Sequence, residues 1–214
     1  MKLTKYGHAC VFVEKSGSRL VIDPGELTEL PEDLSTIIAV IYTHKHGDHV
    51  NVDNLKKIYA QNPNVVILSH SEVIDMFTDV DCEKFLIEQE KNITIGPFEV
   101  NLKVTDHAII WRTTPCKNMT VLVDDFYYYP GDSLQVIEQS VEVVGVPLSA
   151  PWLKVAEAIE FARSMHAHIA MPTHNGLFNE WGHEFNQHWL KVGLEDTGCE
   201  LHILQNGESY ASKS

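Results

Sequence analysis

Thr43-His44-Lys45-His46-Gly47-Asp48-His49 follows directly on Ile37-Ile38-Ala39-Val40-Ile41-Tyr42, and the fold is read outward from this junction. A continuous apolar run of this length suits a strand buried on both faces. In extended backbone, residues two apart point the same way, so His44 and His46 stand side by side, able to hold one ion through imidazole nitrogens. Gly47 permits a sharp turn that brings Asp48 and His49 towards a second ion. Imidazole and carboxylate at this density suit Zn, Fe, Mn, Co or Ni, and no thiolate is near to soften the site. The bland alternative is a solvated His-rich loop. A cluster that caps a buried strand, with the mixed donors of catalytic sites, argues against it.

Working outward, Asn51 to Ala60 reads as a helix that anchors this loop from behind. Asn51 is its N-cap, Asp53 lies in the first turn, and Leu55, Ile58 and Tyr59 share a face. Val65 to Leu68 is the next strand. Towards the N-terminus, Leu3 to Glu14 alternates, Ser16-Gly17-Ser18 turns, and Arg19 to Ile22 returns before Asp23-Pro24-Gly25. Towards the C-terminus, Phe85 to Ile87, Ile93 to Ile95 and Phe98 to Val104 continue the β pattern, with Gly96-Pro97 as a hairpin turn. Met119 to Val123 and Phe126 to Tyr129 form a hairpin across Asp124-Asp125. Val141 to Val146 reads as a strand, Trp152 to Met165 as a helix, and His168 to Met171 as a strand ending at Pro172. His183 to Leu194 is the last helix, before a closing strand around Leu201 to Leu204. Sheet then helix in each half predicts an α+β fold of two packed sheets with helices on both outer faces. No Pro/Gly/Ser-rich linker separates the halves, so residues 1–214 are read as one domain.

The chain has 214 residues, 44% hydrophobic and 21% charged, an ordinary globular balance. A formal net charge of −14 without Lys/Arg clusters weighs against a nucleic-acid partner. No run approaches the ~20 apolar residues of a membrane helix, and no basic-faced amphipathic helix suggests membrane docking. Met1 to His8 has no apolar run behind it, so no secretory signal is read and a cytoplasmic location is expected. Cys10, Cys82, Cys116 and Cys199 lie far apart, which does not suggest a disulfide framework; Cys10 and Cys199 read as small core residues.

One loop cannot complete two ions, and three further candidates follow later strands. They are His107 in Thr105-Asp106-His107-Ala108, Asp132 in Pro130-Gly131-Asp132-Ser133, and His174 in Pro172-Thr173-His174-Asn175. Each alone has a bland explanation as a loop residue, and Asp132 could simply be a cap. Their common position just past a strand strengthens the joint reading.

With these residues in view the chain resembles the metallo-β-lactamase superfamily, from Tyr6-Gly7-His8-Ala9 and Ile22-Asp23-Pro24-Gly25 through H-x-H-x-D-H to the His174 turn. The resemblance implies a four-layer αββα sandwich. It also implies that His44, His46 and His107 hold a first metal, that Asp48, His49 and His174 hold a second, and that Asp132 bridges them. Gly-His-Ala and Ile-Asp-Pro look like the branch containing L-ascorbate-6-phosphate lactonase and N-acyl-phosphatidylethanolamine phospholipase D. The complete His-x-His-x-Asp-His differs from the flavodiiron branch, and aspartate at 132 differs from true β-lactamases. No added domain or basic exosite suggests RNA processing.

The expected activity is hydrolysis of a small ester, lactone or phosphoester by a hydroxide bridging two divalent transition-metal ions. Zn is the first choice, with Mn, Fe or Ni as alternatives. Asp48 would orient the hydroxide or take a proton, and Asp132 would space the ions. Activity on a larger amphiphile, and a non-catalytic metal-binding protein, stay open. His8 is read as either a substrate contact or a support for a ligand. Asp23 either fixes a ligand imidazole or caps its turn. Trp111, Phe178 and Trp181 either wall a pocket or cover the sheet edge, and Arg112 either meets an anion or is solvated. The expected partner is a small molecule, with self-association open on base rate alone.

Overall fold

Two seven-stranded mixed sheets organise the computed structural model, which describes residues 1–212. The first sheet contains β1 (Lys2–Tyr6), β2 (Cys10–Lys15), β3 (Ser18–Ile22), β4 (Ile37–Ile41), β5 (Val66–Ser69) and β6 (Glu83–Leu86). The second contains β7 (Lys91–Ile95), β8 (Phe98–Asp106), β9 (Lys117–Val123), β10 (Tyr127–Tyr129), β11 (Val141–Pro147), β12 (Ala167–Thr173) and β13 (Glu200–Leu201). The last strand, β14 (Ser209–Ala211), returns to the first sheet, giving the orders β14-β1-β2-β3-β4-β5-β6 and β13-β12-β11-β10-β9-β8-β7.

Between the sheets lies one apolar core to which both contribute, with Val13, Leu20, Ile41 and Leu68 from one side and Leu102, Val121, Tyr129 and Met171 from the other. The outer face of the first sheet is covered by α1 (Val52–Gln61) and the short α2 (Ser71–Ile74), whose Leu55, Ile58 and Val73 pack on Val40 and Ile67. The outer face of the second carries α3 (Val155–Ser164) and α4 (Glu180–Leu194), which bury Phe161, Ala162, Leu190 and Leu194 against Val144 and Ala170. This is the four-layer αββα sandwich. Strands β3, β4 and β5 are mutually parallel, as are β10, β11 and β12, so each group sends its C-terminal ends to one edge.

Several elements differ from the sequence reading for local reasons. The alternating stretch Leu3 to Glu14 is two strands, broken where Gly7 takes φ +57 and tucks under the Leu27 carbonyl. Helix α3 starts at Val155 rather than Trp152: Pro151 and Trp152 form a turn, and the Glu157 carboxylate accepts the Lys154 N–H at 2.9 Å. Strand β12 runs through Pro172 to Thr173, because Pro172 pairs in parallel register with Val146. The expected closing strand is only Glu200–Leu201, and β14 instead pairs with β1. All four cysteines are free, with Cys10 and Cys199 buried.

The glycine that shapes the H-x-H-x-D-H loop is not the one within it. Gly47 is absent from the positive-φ positions, and a β-carbon there would meet only the end of the Glu26 side chain. At Gly25 a β-carbon would overlap the Asp48 carbonyl and the His49 amide, so the turn after β3 and the loop after β4 lie backbone to backbone. The contact is sealed by Glu26 N–H donating to the Gly47 carbonyl at 2.8 Å. Gly25→Ala is therefore expected to destabilise the protein by about 2–3 kcal/mol, as backbone must move to admit the methyl group. Thermal unfolding checks this, and an unchanged midpoint would mean the two segments are not in such contact.

Candidate metal centre

All seven sequence-predicted ligands converge at the edge where the parallel strands end. His44, His46, Asp48 and His49 come from the loop after β4; His107 follows β8, Asp132 follows β10, and His174 follows β12. His44 Nε2 and His46 Nδ1 are 3.1 Å apart, and their facing atoms gather with those of His107 and Asp132 in one group of four. A second group joins His49, Asp132 and His174, with Asp48 Oδ2 3.3 Å from His174 Nε2 and 3.9 Å from His49 Nε2. Asp132 belongs to both: Oδ1 lies 3.1 Å from His49 Nε2 and 3.2 Å from His174 Nε2, and Oδ2 lies 3.3 Å from His107 Nε2.

What makes this donor set fit metal ions is the state of the ring nitrogens. His49 Nδ1–H donates to Asp23 Oδ2 at 2.6 Å, His107 Nδ1–H to the Ala108 carbonyl at 2.5 Å, and His174 Nδ1–H to the Ser149 carbonyl at 2.6 Å. Each ring therefore keeps its proton on Nδ1 and turns the Nε2 lone pair inward. Those three Nε2 atoms, with Asp132 Oδ1, are buried without a hydrogen-bond partner. Buried orphan acceptors are costly unless something electropositive sits among them. Two divalent ions, one on His44, His46, His107 and Asp132 and one on Asp48, His49, His174 and Asp132, would satisfy all of them.

The two further residues singled out in the sequence also lie here, fully buried. Asp23 sits at φ +48 and accepts the Thr43 N–H at 2.7 Å, the Thr43 hydroxyl at 2.6 Å and the His49 ring, so it orients a ligand and its turn together. His8 Nδ1 accepts the Gly176 N–H at 2.8 Å, which leaves the proton on Nε2, 3.4 Å from Asp48 Oδ2. Having no exposed surface, His8 is placed as a support for Asp48, beside His174 at the same Oδ2.

Sequence reading did not pick out three contributors. Asn118 accepts the Asp132 N–H and donates to the Pro130 carbonyl, clamping the turn that aims Asp132. Trp152 donates its indole N–H to Asp132 Oδ2 at 3.0 Å. Cys116 Sγ lies 3.8 Å from His46 Nε2, the ring nitrogen that faces away from the cluster, so its thiol stays outside the donor set. Trp111 and Trp181 are exposed, and Phe178 is half-buried against Gly182. Arg112 is exposed, with its guanidinium over the Trp111 ring.

Burial works against the charged forms, yet the surrounding rings hold Asp48 and Asp132 well below the usual carboxylate range. Burial likewise opposes charge on His174, but the Asp132 and Asp48 carboxylates raise it to about 9. His49, between Asp132 and Asp23, is also raised, whereas burial pushes His44 and His46 down and takes His8 to about 4.

A family model described as "Beta-lactamase superfamily domain" matches residues 2–174, a span holding every candidate ligand. Protein Rv0786c of Mycobacterium tuberculosis is 29% identical over 189 residues, covering 83% of this chain and 85% of its own. A UPF0173 metal-dependent hydrolase of Aeropyrum pernix is 21% identical, covering 98% of this chain and 96% of its own. Among solved structures, Igni18, a metallo hydrolase from Ignicoccus hospitalis, superposes with a TM-score of 0.76 at 18% identity over 99% of both chains.

Two expectations follow from the centre's wiring. Asp23→Asn would present an amide N–H to the His49 ring, forcing its proton onto Nε2. Metal affinity should fall about 10–100-fold by titration calorimetry, and unchanged affinity would deny Asp23 this role. Because His174 keeps its proton up to about pH 9 rather than its ordinary 6.5, an entering ion must displace it. Metal uptake should release protons, and apparent affinity should climb with pH by up to about tenfold per unit until that range is passed. Calorimetry in buffers of different ionisation enthalpy reads the release directly, and uptake independent of pH would contradict this charge state.

Proposed function

The chain belongs to the beta-lactamase superfamily, and on that footing we propose that it is a metal-dependent hydrolase working through two divalent ions on a small ester, lactone or phosphoester. The observation that carries this reading is the inward set of partnerless Nε2 and carboxylate atoms shared by two groups through Asp132. Zn is the favoured ion, since nitrogen and oxygen donors without thiolate suit it, and Mn, Fe and Ni suit the same set. When bound, two such ions lower the pKa of a shared water towards about 7 and stabilise charge developing on the attacked group.

The chain's own residues divide the remaining work. Asp132 turns one carboxylate oxygen to each group and is kept in place by Asn118 and Trp152. Asp48 is the partly exposed carboxylate of the set, its side chain 28% accessible, so solvent reaches it as it reaches none of the other ligands but His46. That placement suits it to orient a water or accept its proton, with His8 Nε2 3.4 Å from the same Oδ2 that faces His174. Beside His46 and His107 opens a cavity of about 390 Å³, lined also by Lys45, Ile110, Thr114 and Cys116. Its size matches a small substrate. The exposed run Ile109, Ile110 and Trp111, two residues after His107, favours a second reading, in which the substrate carries an apolar chain laid over this loop.

Elemental analysis beside a phosphodiester, carboxylester and lactone hydrolysis screen, with Zn and Mn added back, tests the reading. About two ions per chain and metal-dependent turnover are expected. Asp132→Ala should hold at most one ion tightly, and His44→Ala should lower turnover at least about a hundredfold while leaving the fold intact. Two ions in Asp132→Ala would reject the shared carboxylate. Fewer than one ion in the wild type after add-back would favour a non-catalytic protein on this fold.

A further inference from the structure

Helix α4 has two apolar faces, and the fold uses only one. Leu190 and Leu194 are buried against the outer face of the second sheet, as expected of a surface helix with a single core-facing stripe. On the opposite side Trp181, Phe185, Trp189 and Val192 recur at helical spacing with 79%, 60%, 43% and 40% of their surfaces exposed. Phe185 and Trp189 already touch, their ring centroids 6.3 Å apart. Scattered exposed apolar residues need no explanation, but a row of three aromatics along successive turns of one helix marks a contact surface.

The charges along this row indicate what covers it. Glu180 and Glu184 are exposed in the first half of the helix, and His188 and Lys191 are exposed in the second. With a formal net charge of −14, the chain is poorly matched to an anionic membrane. A second copy of the same helix, laid antiparallel across the first, meets the pattern. A two-fold axis near Gln187 sets Phe185 beside the partner's Trp189 and Trp181 beside the partner's Val192. The same register puts Glu184 opposite the partner's Lys191, twice, because an isologous interface repeats each contact. Antiparallel crossing also opposes the helix dipoles, and the crossing angle of packed helices carries the like-charged ends, Glu180 and Glu195, apart.

We infer that the chain forms a two-fold homodimer through the Trp181–Phe185–Trp189–Val192 face of α4. The contact bears on the metal centre, since α4 begins shortly after His174 and Phe178, in the connecting loop, lies against Gly182 at the helix start. Pairing the helices braces the loop that carries His174. This inference is independent of the proposed hydrolysis, and its test needs no substrate.

Sedimentation equilibrium of the intact chain, with circular dichroism to establish folding, reads the association. The wild type should be a dimer. Phe185→Ala should raise its dissociation constant by about thirtyfold, as for an aromatic anchor at the centre of an interface. Glu184→Lys and Lys191→Glu should each weaken dimerisation on the order of tenfold or more by placing like charges opposite each other. Mixed together, the two charge variants should recover dimers, since each supplies the complement of the other, and the double variant Glu184→Lys/Lys191→Glu should dimerise alone. A monomeric wild type would overturn the inference, as would a dimer indifferent to these substitutions. So would a monomer that floats with neutral phosphatidylcholine vesicles through the same residues, which would assign the face to lipid.

Discussion

A carboxylate without access to water, Asp23, receives three hydrogen bonds from two residues of the next strand's loop, and the metal centre depends on that arrangement. Burying a carboxylate is costly unless its oxygens are hydrogen-bonded, and Thr43 and His49 supply those bonds to both oxygens. The same contact joins the end of β3 to the end of β4, holds the Asp23 backbone at φ +48 and decides which nitrogen of His49 looks inward. His174 shows the second instance of the pattern. It too has positive φ, +48, and it is held by reciprocal hydrogen bonds with Ser149 through both ring and backbone. Strained backbone survives where the surroundings over-determine it, and here it lies at two supports of the candidate ligand cluster.

The sheets explain why residues so distant in sequence meet. Parallel strands place all their C-terminal ends along one edge, and the antiparallel steps from β8 to β9 to β10 bring β8 into the same direction as β10. Loops leaving that edge deliver one side chain each, and the loop after β4 delivers four. The remaining polar machinery exists to rotate these side chains. Ala108 and Ser149 give carbonyls, Asn118 clamps a turn, and Trp152 gives an N–H.

Much of this was legible in the chain because its strongest signals are local. A buried strand followed by H-x-H-x-D-H is read from thirteen consecutive residues, and the strand-end positions of His107, Asp132 and His174 are visible one by one. What escaped notice depends on contacts between distant segments. The tight glycine is Gly25 rather than Gly47, because the close neighbour is the Asp48 backbone, which only the folded sheet brings near. Pro172 stays within its strand because its partner Val146 asks nothing of the missing N–H. Trp152 reads from the sequence as the first residue of a helix, yet its indole N–H finds Asp132, twenty residues back. Strand β14 is too short to announce itself and is specified by its pairing with β1.

The centre draws its donors from both sheets: four from the loop after β4 in the first, and three from the ends of β8, β10 and β12 in the second. On the proposed reading no ion would be fully held by either half alone, so complete coordination would arise only after the two sheets have docked over their shared core. An interaction that forms after the folding barrier leaves the folding rate nearly untouched and slows the reverse step. Loading with metal would therefore act as a latch between the halves. Its main effect on the protein's persistence would be kinetic: a longer lifetime against proteolysis and heat, set by how slowly the sheets part.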